Sequence, residues 1–99
     1  MKFSKPHQFR SKPYLRWIRT QPCICSGQSN VEAAHSWPSS IGGKSSDITA
    51  LPLTERYHRT DNEGLDKIGR ANFERMNNLD LNREVIKHIN RFLSEGHTF

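Results

Sequence analysis

Apolar residues are scarce in this chain. Only 33% of its 99 positions are hydrophobic, which allows one domain built around a thin core. No run approaches the roughly 18 consecutive apolar residues of a membrane span, so no membrane partner is expected. The Lys-bearing N-terminus has no apolar segment behind it, so no secretory signal is readable and the expected location is the cytoplasm. Cysteine is confined to Cys23 and Cys25. One intervening residue on an extended chain sends the two side chains to opposite faces, a poor geometry for a disulfide. In a reducing compartment two thiols are expected, or one metal ligand and one spectator. Internal repeats and long linkers are missing as well.

Acids are absent from residues 1–31, which carry Lys2, Lys5, Arg10, Lys12, Arg16 and Arg19; the first carboxylate is Glu32. The whole chain holds 15 Lys and Arg against 10 Asp and Glu, a net charge of +5. A stretch of one sign either attracts polyanions through counterion release or serves as a solvated tail. Residues 1–12 read as a mobile basic arm, with Pro6 and Pro13 discouraging early helix. Residues 13–99 then form a single domain.

Within that domain residues 14–19 read as a short helix with Leu15 and Ile18 on one face and Arg16 and Arg19 on another. Pro22 breaks it, and Gly27 marks a turn. Residues 31–35 and 48–53 read as short strands, separated by a loop (36–46) that holds Gly42, Gly43 and Lys44. Residues 54–58 turn helical, with an interruption near Gly64, and residues 71–76 form another helix. The last helix carries Val85, Ile86, Ile89, Phe92 and Leu93 as an apolar stripe of period 3.6. Asp80 or Asn82 can cap its start and Gly96 can end it. His88 lies off this stripe and reads as a surface histidine.

Two segments carry chemistry-bearing residues, Val31-Glu32-Ala33-Ala34-His35 and Leu51-Pro52-Leu53-Thr54-Glu55-Arg56-Tyr57-His58. The first ends a strand with a histidine against the Gly-bearing loop, and the second leads from a strand into a helix. Phosphodiester hydrolysis needs a base to activate water and a cation to stabilise charge on the phosphate and the departing oxygen. A histidine on each arm is compatible with both needs, although two histidines at this separation specify little by themselves.

An ordered series of motifs says more. Tyr14-Leu15-Arg16-Trp17-Ile18-Arg19-Thr20-Gln21-Pro22-Cys23 is followed by the Val31–His35 motif. Gly42-Gly43-Lys44-Ser45-Ser46-Asp47, Ala50-Leu51-Pro52-Leu53 and His58-Arg59-Thr60 come next, then Lys67-Ile68-Gly69 and Phe73-Glu74. Over roughly two-thirds of the chain this series resembles a group of phage and bacterial HNH (ββα-metal) endonucleases, related to the recombination-enhancement, Ref-like nucleases. The resemblance implies an α+β fold: a small ββα-metal (His-Me finger) core with a basic N-terminal arm and added C-terminal helices. It implies a metal-dependent DNA endonuclease, encoded by phage or prophage and linked to DNA recombination or processing, with a recombination protein as a possible partner.

The same resemblance assigns roles. His35 matches the general base, and His58 matches a ligand of the catalytic metal. Asp66 stands where relatives have a distal histidine; a carboxylate there would retain a ligand and favour Mg²⁺ or Mn²⁺. Asp47 could orient His35 or cap the loop. Asp61 and Asn62 could reach the same helical face as His58. Lys12, Arg16, Arg19 and Lys44 are the expected DNA contacts. Relatives also hold a structural zinc at four positions that fall here on Cys23, Ser26, Thr54 and Tyr57. Three of these are poor zinc ligands, so structural zinc is expected to be absent. The altered positions keep a second function in view, a catalytically weakened DNA-binding module, and a third, a protein-interaction or inhibitor role on the same scaffold.

Overall fold

The computed structural model describes residues 9–36 and 46–99. Lys44 and residues 37–45 of its loop, together with Lys2 and Lys5, lie outside the described residues. Among the described residues the architecture is α+β, with five α-helices and a two-stranded antiparallel sheet. In chain order these are α1 (Lys12–Ile18), β1 (Glu32–His35), a single 3-10 turn (Asp47–Thr49), β2 (Ala50–Leu53), α2 (Glu55–Arg59), α3 (Leu65–Ile68), α4 (Arg70–Asn77) and α5 (Leu81–Ser94).

Local chemistry accounts for most boundaries. Ser11 caps α1 by accepting from the Tyr14 amide at 3.2 Å, and Pro13 occupies the first turn, where a missing N–H costs nothing. Pro13 therefore starts the helix instead of discouraging it. Asp80 caps α5 through the Arg83 amide at 3.2 Å. Glu74 Oε2 accepts from the Leu81 amide at 2.7 Å, so α4 helps to satisfy the exposed donors of α5. Gly69 joins α3 to α4 at φ 84°, ψ 163°, a region open essentially to glycine alone. Asp47–Thr49, expected partly as strand, is the 3-10 turn. Residues 65–68, expected as no element, form α3.

The sheet is the middle layer. Register pairs Glu32 with Leu53, Ala33 with Pro52, Ala34 with Leu51 and His35 with Ala50. Alternation then separates two faces. Ala34, Leu51 and Leu53 join Leu65, Phe73, Leu81 and Val85 in one core. Ala50, with Ala33 packed alongside, meets Tyr14, Trp17, Ile18 and Phe92 in the other. All four residues of β2 are buried in consequence. The outer edge of β2 is met at Pro52, whose carbonyl accepts from the Ile24 amide at 3.1 Å.

The stripe on α5 is rotated from its expected position. Leu81, Val85, His88 and Phe92 are buried, whereas Ile86 is 59% and Leu93 48% exposed. His88 is not a surface residue. Its ring lies 6.2 Å from that of Trp17, and Nδ1 pairs with the Glu84 carbonyl at 2.8 Å. The aromatic face of α1 draws α5 towards its His88 side, and an imidazole with one satisfied nitrogen can be buried there. No helix among the described residues is long and apolar enough to cross a membrane.

Candidate functional site

Asp47 opens the turn before β2 and is buried. Its Oδ1 accepts from His35 Nε2 at 2.9 Å and from Arg10 Nη1 at 3.2 Å. Its Oδ2 accepts from the Ser11 amide at 2.8 Å. Burial alone would raise this carboxyl's pKa, but the donors from His35, Ser11 and Arg10 outweigh it and hold Asp47 below the usual carboxylate range. An ionised carboxylate only accepts, so His35 Nε2 carries a proton, and Nδ1 is the nitrogen that could act as a base. Of the two roles considered for Asp47, the contact with His35 is direct. Residues 9–11, expected in the mobile arm, are docked here: Phe9 donates its amide to Ser46 Oγ at 3.1 Å and accepts the Asp47 amide at 2.8 Å.

His58 sits on α2 between two carboxylates. Nδ1 is 2.7 Å from Glu32 Oε1, and Nε2 is 3.1 Å from Asp66 Oδ2. Arg59 grips Glu32 with two hydrogen bonds, 3.0 and 2.7 Å long. Partial burial works to raise the Glu32 pKa, but His58 and Arg59 prevail and keep it below the ordinary glutamate value. The tight corner between α2 and α3 is what returns Asp66 to His58. At Gly64 an added Cβ would lie 2.5 Å from the Thr60 amide nitrogen and 2.7 Å from backbone atoms of Arg59. Only a residue without a side chain fits that approach. Asp61 and Asn62 lie beyond the end of α2, so they do not share a helical face with His58.

A neutral imidazole has one N–H, yet His58 faces an acceptor on each nitrogen. Its second contact is completed by a second proton, on the ring or on the Asp66 carboxyl, or by a cation held by Nε2 and Asp66. Two donors would leave most of a Mg²⁺ shell to water and phosphate, which suits an ion that dehydrates reluctantly and is commonly held by one or two carboxylates. Among the described residues no group of three His, Cys, Asp or Glu side chains is placed to hold a metal by itself.

The two histidines belong to separate clusters that share no residue. Glu32, which holds His58, and His35 lie three residues apart on β1. That is about 10 Å along the strand, on opposite faces. Lys12, Arg16 and Arg19 are all exposed on or beside α1. Glu32, Arg59 and Arg10 were not singled out from sequence. The available signal was position, since Glu32 and Arg59 lie inside the motifs that carry His35 and His58.

The four zinc-equivalent positions are drawn together by bonds of another kind. Cys23 is buried, lies 3.9 Å from Thr54 Oγ1 and is hydrogen-bonded by Ser26, while Tyr57 packs against the same core. Desolvation acts to raise the Cys23 pKa, but the hydrogen bonds from Ser26 and from backbone groups lower it on balance. Cys25 is pushed up to about 12 by burial and then by its proximity to Cys23. Both are free thiols. One thiol, two hydroxyls and a phenol do not match the donor set of tetrahedral zinc.

A family profile covers nearly the whole chain. Residues 1–90 match "Protein of unknown function (DUF968)". The chain belongs to the DUF968 family. A curated relative, the uncharacterized protein YdfU of Escherichia coli (strain K12), is 34% identical over 61 residues. The matched segment is 59% of this chain and 18% of YdfU, so this DUF968 chain spans well under two-thirds of that relative's length. No solved structure matches the chain.

Proposed function

We propose that this DUF968 domain is a metal-dependent DNA endonuclease of the HNH type. The observation that carries this reading is the presence of a carboxylate-oriented histidine, His35–Asp47, and of a histidine flanked by two carboxylates, Glu32–His58–Asp66. The element order β1, β2, α2 supports it, since it presents one of these histidines on a strand and the other on the following helix.

In this reading His35 takes a proton from water at Nδ1, while Asp47 holds Nε2–H in place and stabilises the imidazolium that forms. His58 Nε2 and Asp66 would hold a divalent cation, which when bound supplies charge stabilisation on the phosphate and the departing oxygen. Glu32 fixes the ring of His58 through Nδ1, as an outer carboxylate does for a ligating histidine. Lys12, Arg16 and Arg19 attract the phosphate backbone.

The separation of the two histidines favours a second reading, a DNA-binding module with weakened catalysis, in which His58 carries two ring protons and forms a purely structural ion triad. Purified protein incubated with plasmid and with single-stranded circular DNA, in Mg²⁺, Mn²⁺ or EDTA, separates the two. Cutting in Mg²⁺ or Mn²⁺ but not in EDTA, lost in His35→Ala, supports the endonuclease. Binding without cutting in any metal, with activity gained by Asp66→His, supports the module.

A further inference from the structure

Five large apolar side chains are exposed among the described residues, and the two aromatic ones, Phe9 at 37% and Phe99 at 39%, touch each other. Their rings meet edge to face at 5.2 Å and 88°. Behind them Phe99 packs on Tyr14 at 5.3 Å and on Phe92 at 5.0 Å, and both of those rings are buried. Phe99 is therefore backed by buried rings, and each member of the pair keeps more than a third of its surface open. It also adjoins the candidate base, because the backbone of Phe9 is bonded to Ser46 and Asp47, and Asp47 holds His35.

We propose that Phe9 and Phe99 form a stacking platform for the unpaired bases of single-stranded DNA. The inference rests on the DNA-directed reading above and names its substrate class. Every nucleobase has a π face, but in a duplex those faces are covered by their neighbours, so exposed aromatic rings select unpaired strands. Charge points to nucleic acid as the occupant in preference to an apolar protein partner. Arg10 adjoins Phe9, Lys12 and Arg16 are exposed on the following helix, and residues 1–31 contain no acid. Of the nearby carboxylates, Asp47 is engaged by His35, Arg10 and the Ser11 amide, and Glu95 by Trp17 Nε1 at 2.8 Å and His97 Nε2 at 3.3 Å. A strand whose bases rest on the two rings would run its backbone past Arg10 and towards His35.

Fluorescence anisotropy in EDTA, where cleavage plays no part, tests this with labelled oligo(dT) and a duplex of equal length. Wild type should bind oligo(dT) more tightly than the duplex. Phe9→Ala and Phe99→Ala should each weaken oligo(dT) binding about five-fold or more, the lower end of a lost stacking contact, and leave duplex binding unchanged. Phe9→Leu and Phe99→Leu keep apolar bulk at the pair, where Phe99 rests on Tyr14 and Phe92, and guard against misfolding. They should still lose oligo(dT) affinity while retaining the wild-type thermal transition. Equal or tighter binding of duplex by the wild type would overturn the proposal, as would folded leucine variants with undiminished oligo(dT) affinity. Ring-dependent binding by a protein that cuts no DNA would refute the nuclease and leave the platform standing.

Discussion

The two histidine clusters are held in opposite ways. His35 is positioned by a carboxylate buried between the docked N-terminal segment and the turn before β2, so its ring orientation is tied to the packing of the fold. His58 is clamped by Glu32 and Asp66, whose side chains are 35% and 50% exposed, so the groups that hold it stand at the surface and not in a core. A group that must present one nitrogen in one protonation state benefits from over-determination. A group that must take up and release a cation benefits from a softer setting. The difference explains why one cluster is read as the base and the other as the ion-holding side.

The largest expected effect separates the two chemically. His35→Ala should lower the rate of plasmid nicking by at least ~10²-fold, the usual scale for losing a positioned base, with DNA affinity unchanged in a gel-shift titration. His58→Ala should lose rate together with Mn²⁺ affinity measured by calorimetry. Equal cutting by His35→Ala and wild type would remove His35 from the mechanism.

Next in size is stability. Asp47→Ala strands the buried Ser11 amide and removes the side-chain hold on Arg10 and Ser11, which should cost about 2–3 kcal/mol in chemical denaturation. Asp47→Asn keeps the acceptor for Ser11 but no longer dictates the His35 tautomer, so it should lose more activity than stability. Gly64→Ala drives a methyl group into the Thr60 backbone and should cost about 1–3 kcal/mol, while also weakening Mn²⁺ binding as Asp66 is displaced. Asp66→Ala should change stability by less than about 1 kcal/mol, as expected of an exposed ion pair. A large loss there would erase the contrast between the clusters.

The smallest effect is a pH slope that lies outside both clusters. Burial holds the His88 pKa below its ordinary value of 6.5. The ring is neutral in both folded and unfolded chains above that value, and its contribution is then complete. As pH falls below 6.5 the unfolded chain takes up the proton first, so stability declines until the folded value is reached. Asp47 and Glu32, held below the usual carboxylate range, titrate lower still. Thermal melts from about pH 7.5 to 5.5 should show a falling transition that is flatter in His88→Gln.

Much of the frame is legible in the sequence because it is written in local chemistry. Asp80 and Gly96 mark helix ends, and the two strand motifs place His35 and His58 on the elements expected of them. What was hidden depended on distant partners. Four residues are too few for periodicity to reveal α3. His88 reads as polar and outward until Trp17 is known to lie over it. Glu32 reads as part of a motif until the register and α2 bring it to His58. The docking of Phe9 and Ser11 on Asp47 spans more than thirty positions and leaves no periodic trace.

Pro52 has a consequence beyond the domain's interior. A two-stranded sheet ordinarily leaves edges open to a strand from another molecule. At the rim of β2 this chain places a residue that has no amide hydrogen to offer, and the one acceptor there is already taken by Ile24. The border of β2 is buried and blunted at that point, so crowding many copies together, as high-level expression would, gives them no continuous edge on β2 along which to stack into fibrils.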